Sequence, residues 1–258
     1  MANYDQNRMN SATIIRGDAS IDQGLRSYML SVYNYMAAGL AITGVAAFVV
    51  SLLAVSTSPE TTVAVLKNGV ELTSFGVALY TSALKWVVML APLGVVFFLS
   101  ARISSMSVST AQITFWVFAG LMGLSISSIF LVYTSSAISQ TFFVTAIAFG
   151  GLSLYGYTTK RDLTAMGSFL IMGVIGLFVA SVVNIFLQSS ALQFAVSALG
   201  VLIFAGLTAY DTQKTKEMYY AADEAATTAK KAIMGALSLY LDFINMFMFL
   251  LQLFGNRR

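Results

Sequence analysis

The stretch Ile103–Thr159, ISSMSVSTAQITFWVFAGLMGLSISSIFLVYTSSAISQTFFVTAIAFGGLSLYGYTT, runs for 57 residues without one charged side chain. A membrane crossing takes about 20 apolar residues, so this run is too long for one span and fits two. They fall at about Gln112–Tyr133 and Thr141–Tyr157, with Thr134-Ser135-Ser136 as the turn. The same reading applied outward finds a first span near Tyr28–Leu53 and a second near Leu84–Ala101, with Lys85 at its edge. A pair follows at Gly167–Leu187 and Ala191–Tyr210, hinged at Gln188-Ser189-Ser190, and the last segment is Ile233–Phe254. The count is seven spans; six plus a re-entrant last segment is the alternative. The fold class is therefore an all-α integral membrane protein.

Composition agrees. Of 258 residues 58% are hydrophobic and 10% charged, and the mean hydropathy is +0.80. A soluble domain carries about a quarter charged residues, which this chain lacks. There is no His and no Cys. That excludes zinc sites built on those ligands, His-dependent triads, thiolate nucleophiles and disulfides. The net charge of +3 does not indicate nucleic-acid binding; in a membrane protein the placement of basic residues matters more than their sum.

That placement sets an orientation. With the N-terminus in the cytoplasm, Arg8, Arg16, Arg26, Arg102, Lys160, Arg161, Lys214, Lys216, Lys230 and Lys231 all lie inside. Lys67, Arg257, Arg258 and the interfacial Lys85 lie outside. The positive-inside rule favours this arrangement, with the two C-terminal arginines discordant. Residues 1–26 read as a polar cytoplasmic tail, disordered or only transiently helical, and 27–258 as a single membrane domain. No apolar signal-peptide core lies near the start, so the first span is expected to serve as an uncleaved anchor. Ser56–Ala83 is the longest connection, and Thr73–Ala83 suits an interfacial or partly inserted helix. Small residues at every fourth position (Ala119, Gly123, Ser127; Gly176, Ala180; Ala205, Ala209) permit close helix packing.

Ionisable groups at bilayer depth cost on the order of 3 kcal/mol and so call for a reason. Asp242 lies in Leu237-Ser238-Leu239-Tyr240-Leu241-Asp242-Phe243-Ile244-Asn245-Met246-Phe247, ten residues into the last span, about 15 Å deep. Ser238, Asp242, Asn245 and Gln252 share one helical stripe. A helix apolar on every side but one polar line suits the centre of a bundle. A satisfied structural hydrogen-bonder is the bland reading of Asp242; a functional acid is the sharper one. Asp211 closes the sixth span at its cytoplasmic end, in Thr208-Ala209-Tyr210-Asp211-Thr212-Gln213-Lys214. Two carboxylates meeting in a poorly hydrated space cannot both ionise cheaply, so the pair holds one shared proton. When that proton leaves, the pair repels itself or captures a cation. Arg102, between spans two and three, is either an orientation signal or a latch that pairs with Asp211 until the acid is protonated. Two carboxylates supply too few oxygens for a tight calcium site. Weak binding suits a permeation path. On chemistry alone the chain reads as an acid-gated cation or proton pathway, not an enzyme, and needs no cofactor.

At these same residues the sequence resembles a known family. Leu237–Asn245, followed by the aromatic-rich run ending Leu253-Phe254-Gly255, resembles the signature of the Bax inhibitor-1 (transmembrane Bax inhibitor motif) family. Gly206-Leu207-Thr208-Ala209-Tyr210-Asp211-Thr212-Gln213-Lys214 resembles that family's sixth-span ending. The likeness covers roughly residues 20–255 and points to the bacterial branch. It implies a seven-helix bundle with the last helix at the centre, a multi-pass protein of the inner (plasma) membrane, and a pH-sensitive calcium leak. The family's di-aspartyl sensor falls on Asp211 and Asp242, which would also hold calcium weakly, and its latch arginine on Arg102. The loop Glu217–Lys231 is long, and the basic tail of animal members is absent. Relatives that modulate a membrane-bound AAA protease offer a second reading, an interaction partner without transport whose contact is the N-terminal tail. Retinal proteins are set aside, because the last span holds no lysine. An aspartyl protease is set aside too, because nothing like Gly-x-Gly-Asp occurs.

Overall fold

The computed structural model describes residues 2–66 and 68–256, with side chains from Gln23 onward. Among the described residues, seven helices are long and apolar enough to cross a membrane. The first helix, α1 (Ala2–Ala54), crosses with Gln23–Ala54. Where residues 1–26 were expected to form a polar tail, disordered or only transiently helical, the described backbone continues α1 as helix from Ala2. The short helix α2 (Ser74–Tyr80) precedes α3 (Leu84–Arg102), α4 (Val108–Ile126), α5 (Ile129–Val132) and α6 (Ser135–Thr158). Then come α7 (Thr164–Leu187), α8 (Ser190–Glu217) and α9 (Ala225–Phe254).

The polar turns expected between spans do cap helices. Thr134 accepts from Ala137 N to start α6, and Ser189 accepts from Leu192 N to start α8. Gln188 takes the left-handed conformation (φ 50°) that ends α7. The third crossing is split where Ser127 bonds back to the Leu124 carbonyl and also meets Tyr80 Oη.

The seventh span stands, its re-entrant alternative falls, and two further expectations are revised. The last segment is a continuous helix from Ala225 to Phe254, not a re-entrant piece. That same helix takes Ala225–Lys231 out of the long loop expected at Glu217–Lys231, and α8 takes Glu217, leaving Met218–Glu224 as the connection. The expected helix at Thr73–Ala83 is real but spans only Ser74–Tyr80. Beside it a small antiparallel hairpin, β1 (Ala64–Val65) with β2 (Glu71–Leu72), turns at Gly69 with φ +80°. Leu72 of this hairpin is fully buried against Leu131 of α5.

Helix α9 forms the centre, packing on α8, α1, α6 and α4. Of its most apolar stretch 67% is buried, against 6% for α7, which lies at the edge with Phe169, Phe178 and Phe186 facing outward. Exposed apolar surface of this extent is what a helix presents to lipid. Backbones approach closely where glycines allow it. A Cβ on Gly156 of α6 would overlap the Ala209 carbonyl of α8, and one on Gly123 of α4 would press on the Thr43 carbonyl of α1.

Candidate functional site: a carboxyl pair between the last two helices

Helices α8 and α9 form a hairpin with the most extensive packing in the bundle. Lys214 and Lys216 stand in the last turn of α8, where the helix dipole favours cations. Glycines set the hairpin's closeness: Gly235 of α9 lies against the Thr215 side chain, and Gly200 of α8 against the Phe249 ring.

This packing brings together the two acids singled out by sequence. Asp242 is 3% exposed. Its carboxyl lies within side-chain hydrogen-bonding reach of Asp211, which is half-buried, and its Oδ2 is buried without a partner. Lys214, three residues on from Asp211, is the cation facing that acid, and it also sits 5.7 Å from the centroid of the Tyr210 ring. Such a pair can hold one proton between two carboxyls. Beyond Asp242, α9 is sealed by buried Phe243, Ile244, Met246, Phe247, Leu250 and Leu251. The acid pair is therefore followed along α9 by a buried apolar stretch.

The remaining sequence candidates are placed apart. Arg102 ends α3, exposed and outside any ion pair among the described residues, so it does not meet Asp211 in this conformation. Its loop is nonetheless fastened to α9, because Lys230 Nζ donates to the Ser104 carbonyl at 3.0 Å. Asn245 spends its amide on Leu241 of its own helix, and Gln252 accepts from Ser197 of α8 at 3.0 Å. Ser238 is half-buried. The stripe thus consists of separate contacts, and only Asp242 in it joins the acid pair. No group of three or more acidic side chains is clustered as metal ligands among the described residues.

Sequence reasoning missed the polar scaffold around the acids. Tyr33 Oη of α1 meets Ser153 Oγ of α6 at 2.7 Å; Ser153 meets Thr212 Oγ1 of α8 at 3.0 Å. Thr212 and Thr208 bond back to carbonyls one turn earlier, so α8 presents hydroxyls beside Asp211. Gln213 clamps the turn before α7, accepting from Leu163 N and donating to the Arg161 carbonyl, both at 2.8 Å. On the other side of α9, Tyr240 is fully buried between Phe115 and Phe118, its Oη 2.6 Å from Thr43 Oγ1. Thr43 in turn donates to the Ala119 carbonyl. The Thr208–Thr212 spacing of four was the available signal for this scaffold; Tyr33 and Ser153 gave none, because serine and tyrosine are common in lipid-facing helices too.

The family model described as "Inhibitor of apoptosis-promoting Bax1" matches residues 25–258. A Caulobacter vibrioides protein is 44% identical over the whole of both chains. A Rickettsia prowazekii protein is 48% identical over 93% of each. The inner membrane protein YbhL of Escherichia coli K12 is 58% identical over 51% of this chain and 57% of its own. With seven apolar helices among the described residues, the last of them the most buried, the chain is a multi-pass inner membrane protein and belongs to the Bax inhibitor family.

Proposed function

We propose that this protein is a pH-sensitive cation leak, with calcium as the permeant ion and Asp211 and Asp242 as its proton sensor. The observation that carries the reading is the Asp211–Asp242 contact, in which one nearly inaccessible carboxyl keeps an oxygen without a partner. A shared proton offsets the repulsion of two acids in poorly hydrated surroundings. Loss of that proton leaves a charge that only a cation or a basic side chain relieves. The distribution of basic residues supports an N-terminus-in orientation, which puts Asp211 at the cytoplasmic mouth. On this reading Arg102 is the basic side chain, engaging ionised Asp211 in a second conformation in which the mouth is shut. Flux then rises as pH falls, because protonating Asp211 removes the partner of the latch. Calcium is held weakly by two carboxyls, as passage requires.

Calcium flux into proteoliposomes, followed from about pH 5 to 8, tests the reading. The wild type should leak more at the acidic end. Asp211→Asn should leak at every pH, and Asp242→Asn should lose the pH-dependent flux. A purified protein that moves no calcium anywhere in that range sinks the proposal. If deleting residues 1–26 then abolishes an effect on a membrane protease while both acids are dispensable, the interaction-partner reading replaces it.

A further inference from the structure

Helices α1 and α6 both pack on α9 but not closely on each other. A groove opens between them along the outer face of the bundle. One hollow of about 560 Å³ runs from Arg26 to Ala37 on α1 and from Tyr157 to Phe149 on α6. A second, of about 630 Å³, continues from Met36 to Ala47 on α1 and is floored by Phe243, Ile244 and Phe247 of α9. Met36, Ala37 and Phe149 line both, so the two are one channel for a flexible apolar occupant.

We infer that this groove seats one anionic phospholipid, its phosphate at Arg26 and an acyl chain along the seam between α1 and α6. Three observations select that occupant. The first hollow extends eleven residues along α1, about 16 Å, which is the half-thickness of a bilayer's hydrocarbon core. Its polar groups along the way, Tyr33 and Ser153, are bonded to each other, so the wall offers carbon to a hydrocarbon chain. Its rim is basic. Exposed Arg26 lines the opening, and Lys216 packs on Tyr157, a residue of the lining, its Nζ 2.9 Å from the Tyr157 carbonyl and 5.0 Å from the Tyr157 ring centroid. No acidic side chain lines either hollow. Basic rims between membrane helices are suited to anionic headgroups, and a phosphate at this opening would face Arg26. Gly150 opens the groove further, since a Cβ there would meet nothing within 4 Å. The seat does not depend on the acid pair's role in conduction, because none of its lining residues is Asp211 or Asp242.

Native mass spectrometry of the purified protein, re-equilibrated with equimolar phosphatidylglycerol and phosphatidylcholine, tests the assignment. One phosphatidylglycerol should be retained in preference to phosphatidylcholine. Arg26→Gln should cut that preference about fivefold, the worth of one basic residue near a phosphate. Gly150→Phe should abolish retention with the unfolding temperature unchanged; if that variant does not fold, Arg26→Gln alone decides. Equal retention of the two lipids overturns the inference, as does retention indifferent to Arg26→Gln. Displacement of the lipid by glycerol phosphate at equal concentration, or a second copy of the chain held across the seam, overturns it as well.

Discussion

The ammonium group of Lys230, in the second turn of α9, holds the carbonyl of Ser104 at 3.0 Å, two residues beyond Arg102. The turn that carries the proposed latch is thereby fastened to the helix that carries Asp242. Lys230→Met should free that turn while leaving the apolar bundle intact. Spin labels on the turn between α3 and α4 and on the start of α9 should report a broadened distance distribution. The broadening should be present at pH 5 and at pH 8 alike. A distribution as narrow as the wild type's would show that the contact does not restrain the turn.

The hydroxyl chain Tyr33–Ser153–Thr212 joins three helices next to Asp211. Tyr33→Phe removes one member without changing shape, and Thr212→Val removes another. Interhelical hydrogen bonds in membranes average about 0.6 kcal/mol and reach about 1.7. Each variant should therefore lower unfolding stability by about 0.5–1.5 kcal/mol in mild detergent. The double variant should cost less than the sum, since both act through Ser153. Strict additivity would mean that the chain is not one unit.

Gly156 and Gly151 sit on the same helix in opposite circumstances. A Cβ at Gly156 overlaps the Ala209 backbone carbonyl, which has no flexible end to move aside; a Cβ at Gly151 meets nothing within 4 Å. Gly156→Ala should cost about 1–3 kcal/mol as overpacking, and should push α6 away from α8 at the level of Asp211. Gly151→Ala should be neutral or stabilise by up to about 1 kcal/mol through helix propensity. Thermal unfolding of the two variants side by side checks the contrast, and equal effects would refute it.

Asp162, in the turn before α7, provides a control for pH. The Thr164 hydroxyl and the Thr164 N–H, at 2.8 Å, hold its carboxyl below the ordinary carboxylate range. A depressed folded-state value contributes stability that is complete above the unfolded value of about 3.9 and disappears as pH falls through the folded one. Nothing changes in this group between pH 5 and 8. Asp162→Asn should leave the pH profile of any flux in that range unaltered, and a shifted profile would mean that this turn takes part in gating.

Much of the architecture follows from where charges are missing. A run such as Ile103–Thr159 has no soluble alternative, so span number, the turns at Thr134 and Ser189, and the central place of α9 all follow from simple length and periodicity. The meeting of Asp211 with Asp242 was legible for the same reason: acids are rare enough at that depth for two to stand out. What stayed hidden depended on lateral helix order. Nothing local distinguishes Tyr33 and Ser153 from other hydroxyls in apolar spans, and Lys230 looked like one more basic residue in a loop. The hairpin at β1 and β2 escaped because two-residue strands carry no periodicity. The stripe of Ser238, Asn245 and Gln252 was correct as a helical alignment. Helical alignment does not say which neighbour each side chain meets, and Gln252 turned out to serve Ser197.

The brevity of the Met218–Glu224 connection bears on how the chain is made. Asp242 would be a poor passenger for insertion on its own, since an unaccompanied acid at mid-bilayer costs on the order of 3 kcal/mol. Its companion is already in place on the preceding helix, tethered too closely to drift away. The hairpin of α8 and α9 can therefore enter as a couple, Asp242 arriving beside Asp211. Biogenesis and gating would then draw on the same contact, and variants that loosen it should reduce the amount of protein in the membrane before any loss of conductance is measured.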